Sequence, residues 1–332
     1  MPCLYIFVKS TGMKRFLLHS FLPIAFCFWS ITIAFAQQDA QYSMYRFNGL
    51  YINPAYAGSH EVLTAMAIYR HQWAKMPGAP QSASVAIHSP LKNDRIALGV
   101  IYNYDRIGVS KTNALNMSFA YRLPIGKKKK VRLCFGLSAG VTNYRTDMDN
   151  VATADANDPN FVGNSVNRWL PNVGFGVYAY SNRFFVGISV PHILANKLDG
   201  KSSVFATATD AARQYHHLLV TGGYVFPIGK KVKFVPSALL KYVPLHAPLT
   251  FDFNVNFVFI DRIWVGAGYR FNDAYNFLLA ANVTRQLRIG YCYDITVSAL
   301  GKYNQGSHEV MASFDFDFAH RKIVSPRQVK YF

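Results

Sequence analysis

The stretch TFDFNVNFVFID, residues 250–261, sets the strongest limit on what this chain can fold into. Phe251, Phe253, Val255, Phe257 and Phe259 take alternate positions, with Asp252, Asn254 and Asn256 between them. A period of two puts the two sets on opposite faces of a strand, whereas a helix would scatter both around its circumference. The next run, IWVGAGYRF, opposes Ile263, Val265, Ala267, Tyr269 and Phe271 to Gly266, Gly268 and Arg270. Near the end, Val310, Ala312, Phe314, Phe316 and Phe318 alternate in the same way. Read along the whole chain, this pattern predicts about 14 strands between Val62 and Phe318.

An alternating strand suits a soluble sandwich or a membrane barrel, so the connections have to decide. Every second one is short: PLKND, PIGKKKK, SNR, PIGKK, IDR and TRQ. Those between are mostly longer, reaching 28 residues from Tyr144 to Pro171. Outer-membrane barrels sort their loops by parity, with tight periplasmic turns and longer outward loops, and a sandwich has no reason to. Only 16% of residues are charged, yet after the N-terminus no run stays apolar for the ~20 residues of a membrane helix. The expectation is therefore an all-β, antiparallel outer-membrane β-barrel of about 14 strands with both termini periplasmic. Inward Asp252, Asn254, Asn256, Arg270, Arg288 and Asp294 would make its lumen polar. Tyr102, Tyr104, Tyr121, Tyr178, Tyr180, Tyr242, Tyr269, Tyr291 and Tyr293 crowd strand ends, where amphipathic rings suit the membrane interface. Pro236 cannot donate to a ladder and predicts a bulge or kink in its strand.

The N-terminus reads as a cleaved secretory signal, residues 1–36. Lys14 and Arg15 precede an apolar run from Phe16 to Phe35, which ends at Ala34-Phe35-Ala36. Met13, directly before the Lys-Arg pair, is the expected start of translation. Residues 37–60 then form an N-terminal periplasmic segment, residues 61–318 the barrel, and residues 319–332 a periplasmic tail. The leader removes Cys3 and Cys27, and the two cysteines left, Cys134 and Cys292, are too few for a disulfide scaffold.

Without Lys9, Lys14 and Arg15 the chain keeps 32 basic against 17 acidic side chains, a net charge of about +15. Nucleic-acid binding would gather these cations on a helix or among stacking aromatics, but the densest cluster, Lys127, Lys128, Lys129 and Lys130, sits in a turn. An exported chain meets anionic lipid or cell-wall polymer instead, so no nucleic-acid partner is expected. Together with Lys230 and Lys231 these lysines fall on the predicted periplasmic side and are candidate contacts for partners there.

Signals for chemistry are weak. Asp147, Asp149, Asp155 and Asp158 share the longest loop but lack the Gly-and-Glu frame of a calcium hand, and a solvated acidic loop explains them as well. His216 and His217 are adjacent, so on a strand they face opposite ways and cannot chelate one ion. There is no G-x-S-x-G elbow. Neither catalytic residues, a metal nor a cofactor is expected.

The segment NGLYINPAYAGS, residues 48–59, precedes the first strand yet carries Leu50, Tyr51, Ile52 and Tyr56, which are costly to leave together in water. It is expected to dock at the periplasmic opening, as a short plug or against a partner, with Pro54 and Gly58 shaping its turns.

In order along the chain, QDAQYSMYRFNGLYINPAYAGS, YRHQWAKMPGAPQS, IGVSKTNALNMSFAYRLPIG, PNVGFGVYAYSNRFFVGISVPHIL, SALLKYVPLHAPLTFDFNVNFVF and LRIGYCYDITVSALGKYNQGSHEVMASFDF resemble the PorP/SprF family of type IX secretion system membrane proteins from Bacteroidota. The residues that carry the motif are Asn48, Tyr51, Ile52, Asn53, Pro54, Tyr56, Gly58, Arg70, Gln72, Trp73, Pro77 and Gly78. Gly49 stands where the family pattern carries proline, and the ending SPRQVKYF is longer than the usual close, which leaves the subgroup and its cargo open. The resemblance implies a non-enzymatic outer-membrane barrel that helps export or anchor cargo with C-terminal sorting domains, gliding adhesins among them. It implies partners in the periplasmic and outer-membrane parts of the secretion machinery and in the cargo, besides the surrounding outer-membrane lipid. From the residues alone a general porin or small-solute transporter has the same architecture, and an outer-membrane hydrolase is the enzyme alternative.

Overall fold

Each alternating segment pairs with the next along the chain, and the last returns to the first. The structure, a computed structural model, describes residues 40–92, 94–126, 131–147, 166–196, 202–203, 216–244 and 247–316. The leader, the residues after 316, Lys127 to Lys130, and Asp149, Asp155 and Asp158 lie outside these.

Fourteen strands form the wall. They are β1 (Leu63–His71), β2 (Gln81–Pro90), β3 (Ile96–Ile107), β4 (Ser110–Ile125), β5 (Val131–Thr146), β6 (Val166–Tyr180) and β7 (Phe184–Val190). The second half has β8 (Leu218–Tyr224, resumed after Val225 as Phe226–Ile228), β9 (Val232–Val243), β10 (Ala247–Phe259), β11 (Ile263–Arg270), β12 (Ala274–Asn282), β13 (Leu287–Thr296) and β14 (Ser307–Phe316). All neighbours are antiparallel, and β1 closes on β14 from Leu63 opposite Phe316 to His71 opposite His308. Every strand of the wall thus pairs with two neighbours and none is an edge strand, as a sheet in lipid requires. A two-residue ribbon, Ala195–Asn196 with Ser202–Ser203, lies outside the wall.

The faces follow the sequence pattern. Phe251, Phe253, Phe257 and Phe259 point outward and are exposed, and Asp252, Asn254 and Asn256 point inward and are buried. Arg270, Arg288 and Asp294 are also inward and buried. One expectation fails here, and another is met away from the residue that prompted it. Tyr178 and Tyr180 face the lumen rather than the membrane interface, because β6 packs them on Tyr56 and Phe185. At Pro236 itself β9 stays in register with β10, opposite Val255, and the bulge in this strand lies further on, between Lys241 and Val243. The ladder breaks on the other side, at Tyr224 and Val225 of β8, because Pro236 has no N–H to offer them.

One end of the barrel, called the turn end below, carries the six short connections. The loop end is less uniform than the parity reading implied. Residues 108–109, 244–246 and 271–273 join strands there in two or three residues, while the connection between β5 and β6 shortens to 147–165 because both strands extend past their expected ends. The longest connection is 191–217.

Outward positions face lipid, so a charge in the middle of that face is costly. Leu279, exposed on β12, is a test position: Leu279→Arg is expected to lower the free energy of unfolding in denaturant by about 2–4 kcal/mol. An unchanged unfolding midpoint would mean that this face does not meet the membrane core.

Candidate functional site

The lumen is filled by the chain's own N-terminal segment. Residues 42–50 and 52–60 are all buried inside the barrel. The segment is not confined to the opening near the turn end, where it was expected. It starts beside the loop-end halves of β10, β13 and β14, descends to Arg46 and Phe47, and climbs again through a short helix, Gly49–Ile52. A single 3-10 turn, Pro54–Tyr56, then leads down to Gly58 and His60 at the turn end, just before β1. Its route is set by where the wall offers partners for its polar groups.

The upper anchor is ionic. Arg70 on β1 donates from Nη1 to Glu309 on β14 at 2.9 Å and pairs through Nη2 with Asp294 on β13 at 2.7 Å. Arg270 on β11 donates to Asp252 on β10 at 3.0 Å and reaches Asp273 at 3.1 Å. Ser43 joins the two halves. Its hydroxyl donates to Asp294 at 2.7 Å and accepts from Arg70 at 3.2 Å and Arg270 at 3.1 Å. Its amide and that of Met44 donate to the two oxygens of Glu309, at 2.9 and 2.7 Å, and Gln41 donates to Asp252 at 3.0 Å. A hydroxyl offers one donor and two acceptor sites, and Ser43 uses all three.

Lower down the anchors are aromatic and apolar. Phe47 meets Trp264 edge to face with centroids 5.5 Å apart, and the guanidinium groups of Arg46 and Arg288 lie 5.3 and 5.6 Å from the Trp264 ring. Such cation–π contacts gain strength when water is excluded. At the turn end Tyr56 pairs with His60 at 3.1 Å, His60 with Asp315 at 3.1 Å, and the Gly58 amide donates to His88 at 3.2 Å.

Between these layers lies a seat that the sequence reading missed. Ala97, Ala120, Gly136, Gly176 and Ser189 stand in direct register across β3 to β7, all pointing inward. A Cβ on Gly136 would lie 2.1 Å from the Ala55 nitrogen, and one on Gly176 would lie 2.0 Å from the Asn53 carboxamide oxygen. Ser189 donates to the Ile52 carbonyl at 2.7 Å, and Asn53 donates to the Val177 carbonyl at 2.9 Å. Glycine inside a strand commonly marks such close backbone approach. The readable signal was one row of small residues at inward positions of five successive strands.

The motif residues therefore divide by place. Asn48, Ile52, Asn53, Pro54, Tyr56 and Gly58 are buried in the lumen, Tyr51 is half-buried there, and Arg70 is the wall residue that anchors Ser43. Asn48 donates to Ser84 at 3.0 Å, and Tyr51 donates to the Ala40 carbonyl at 2.6 Å. Gln72, Trp73, Pro77 and Gly78 belong to a different feature, the loop-end connection between β1 and β2. That connection is tied to its neighbours by Trp73 N–H to Ser307, Ala74 N–H to the Gly306 carbonyl and Gly108 N–H to the Gly78 carbonyl. Lys230 and Lys231 are exposed in the turn between β8 and β9. The lumen keeps a cavity of about 130 Å³ at the loop end, lined among others by Tyr51, Asn103, Thr142, Asn172, His217 and Lys241. That is close to the roughly 150 Å³ that hold one benzene molecule, far from the bore of a conduit. Cys134 and Cys292 are free, buried thiols, and among the described residues no His/Cys/Asp/Glu group has metal-binding geometry.

The family model described as type IX secretion system membrane protein PorP/SprF matches residues 34–314. No curated protein matches. Among solved structures, the CymD monoaromatic hydrocarbon channel aligns at 12% identity over 82% of this chain and 94% of its own, with a TM-score of 0.50. The outer membrane protein Omp33 of Acinetobacter baumannii aligns at 12% identity over 77% and 98%, with a TM-score of 0.45. The toluene transporter TbuX of Ralstonia pickettii aligns at 10% over 81% and 93%, with a TM-score of 0.46. At these identities the likeness is one of barrel fold.

Two variants test the site. Arg70→Ala leaves Glu309 buried without its cation and Asp294 with only the longer contact to Arg270, at 3.8 Å, and is expected to cost about 3–5 kcal/mol of stability in denaturant titration; a loss below 1 kcal/mol would contradict the anchor. Gly136→Val drives a side chain into Ala55. It is expected to raise hydrogen exchange at the Ser43 and Met44 amides about five- to hundredfold, the range of an overpacking cost of about 1–3 kcal/mol. Unchanged protection would mean that the seat does not hold the segment.

Proposed function

Because this chain belongs to the PorP/SprF family of type IX secretion system membrane proteins, and is on that account a membrane component of that system, we propose that it works as a filled outer-membrane scaffold. On this reading it supports the export or surface anchoring of cargo with C-terminal sorting domains, gliding adhesins among them, and conducts neither cargo nor solute itself. The observation that carries the reading is the lumen packed by Ala40 to His60 and pinned at Glu309, Asp294 and Gly176. A porin needs a water-filled interior, whereas the cavity at the loop end measures about 130 Å³.

The six short connections gathered at one end support an orientation for this reading. The turn end faces the periplasm and the loop end the cell exterior, after removal of a signal peptide ending at Ala36. Every one of the six short turns carries at least one Lys or Arg: Lys92 and Arg95, Lys127 to Lys130, Arg183, Lys230 and Lys231, Arg262, and Arg285. The only acidic residues among them are Asp94 and Asp261, and Asp261 pairs with Lys233. A ring of one sign attracts acidic partners from a distance, and this ring is the proposed contact for the periplasmic part of the secretion machinery or the cell wall.

The test is in cells. Deleting the gene is expected to abolish surface display of particular C-terminal-domain cargo and to leave small-solute uptake unchanged; normal display with reduced uptake would favour the porin reading instead. Replacing Lys127 to Lys130, Lys230 and Lys231 by glutamate is expected to weaken co-purification of periplasmic partners while the barrel still folds. Undiminished co-purification would overturn the proposed role of the turn lysines.

A further inference from the structure

The lipid-facing wall of β3 to β6 is layered. Counting outward residues on β4 from the turn end, Leu123, Tyr121, Phe119, Met117 and Leu115 make an apolar band. With a strand rise of about 3.4 Å and a tilt of about 40°, each two-residue step climbs about 5 Å, so the band spans roughly 20 Å, near the expected apolar height. The next row, in direct register, is Tyr104, Asn113, Asn143 and Trp169. Trp169 is 69% exposed, as an interfacial ring should be. One row further out stand Arg106, Lys111 and Arg145, directly opposite one another on β3, β4 and β5, all exposed.

Like charges directly opposite across strands repel and destabilise a sheet unless an anion lies among them. No described carboxylate forms an ion pair with any of the three. Asp147, one step beyond Arg145, is engaged in an interaction of its own. The rank is also local. Comparable outward positions elsewhere on the wall carry Leu249, Phe271, Tyr275 and Ile295. Three cations standing one row beyond the aromatic layer lie at the depth of lipid phosphates.

We propose that Arg106, Lys111 and Arg145 form a binding site for a phosphorylated glycolipid headgroup of the lipid A type in the outer leaflet. Two strand spacings stretch the rank over about 10 Å, which suits a headgroup with more than one anionic group better than a single phosphodiester. The proposal rests on the orientation given above, with the loop end outermost.

The experiment compares the native chain with the triple variant Arg106→Gln, Lys111→Gln, Arg145→Gln. Both are purified from outer membranes in mild detergent, and bound lipid is identified by mass spectrometry. Both are then reconstituted into phosphatidylethanolamine vesicles with or without lipid A. Heat-modifiable gel mobility checks that the variant is folded. The native chain is expected to retain lipid A and the variant to bind it about a hundredfold more weakly, from about 1 kcal/mol per basic residue near a charged surface. Equal retention by both chains overturns the site. Retention of a glycerophospholipid, lost in the variant, overturns the lipid A assignment and the orientation with it, while leaving the filled-lumen reading untouched.

Discussion

The buried charges of the upper lumen constrain everything else. Asp252, Asp294 and Glu309 are removed from water and face two arginines, Arg70 and Arg270. Three carboxylates against two guanidinium groups leave a shortage of donors, which the half-buried Asp273 deepens by taking one more from Arg270. Donors from Gln41, Ser43 and Met44 make it up. A half-satisfied polar network is worse than an apolar one, so the closed barrel and the lumenal segment depend on each other. The small-residue row and the Trp264 layer then fix where the remaining residues of the segment go.

Much of the wall was legible because lipid and lumen impose a strict period of two. The Phe251 to Phe259 row, the polar residues opposite it and the count of fourteen strands all came from that period. Where another force competes, the reading failed. Tyr178 and Tyr180 look like belt residues by type, but their parity on β6 sends them inward onto Tyr56. Loop parity blurred in part because β3 to β6 are longer than expected and absorb residues that looked like loop. The segment's path was hidden for a different reason: its anchors, Glu309, Asp294, Gly136 and Gly176, are each unremarkable alone and converge only through register between distant strands.

The two ends of the barrel present different chemistry. The turn end is ringed by basic turns, with Tyr56, His60, His88 and Asp315 closing the segment behind them. The loop end carries the ionic anchor, the small cavity and the folded connection of Trp73 and Gly78. Under the proposed function the filled middle separates these two surfaces, so that partners on each side meet a rigid body, and the family's motif residues serve that rigidity more than they line a passage.

Single-channel recording of the purified chain in planar lipid bilayers tests the central claim, that the native lumen is closed by its own N-terminal segment. The account predicts that folded, inserted chain passes no steady current, while a chain lacking residues 40–60 and still inserted gives discrete ohmic steps. Steady ohmic steps from the native chain would contradict it.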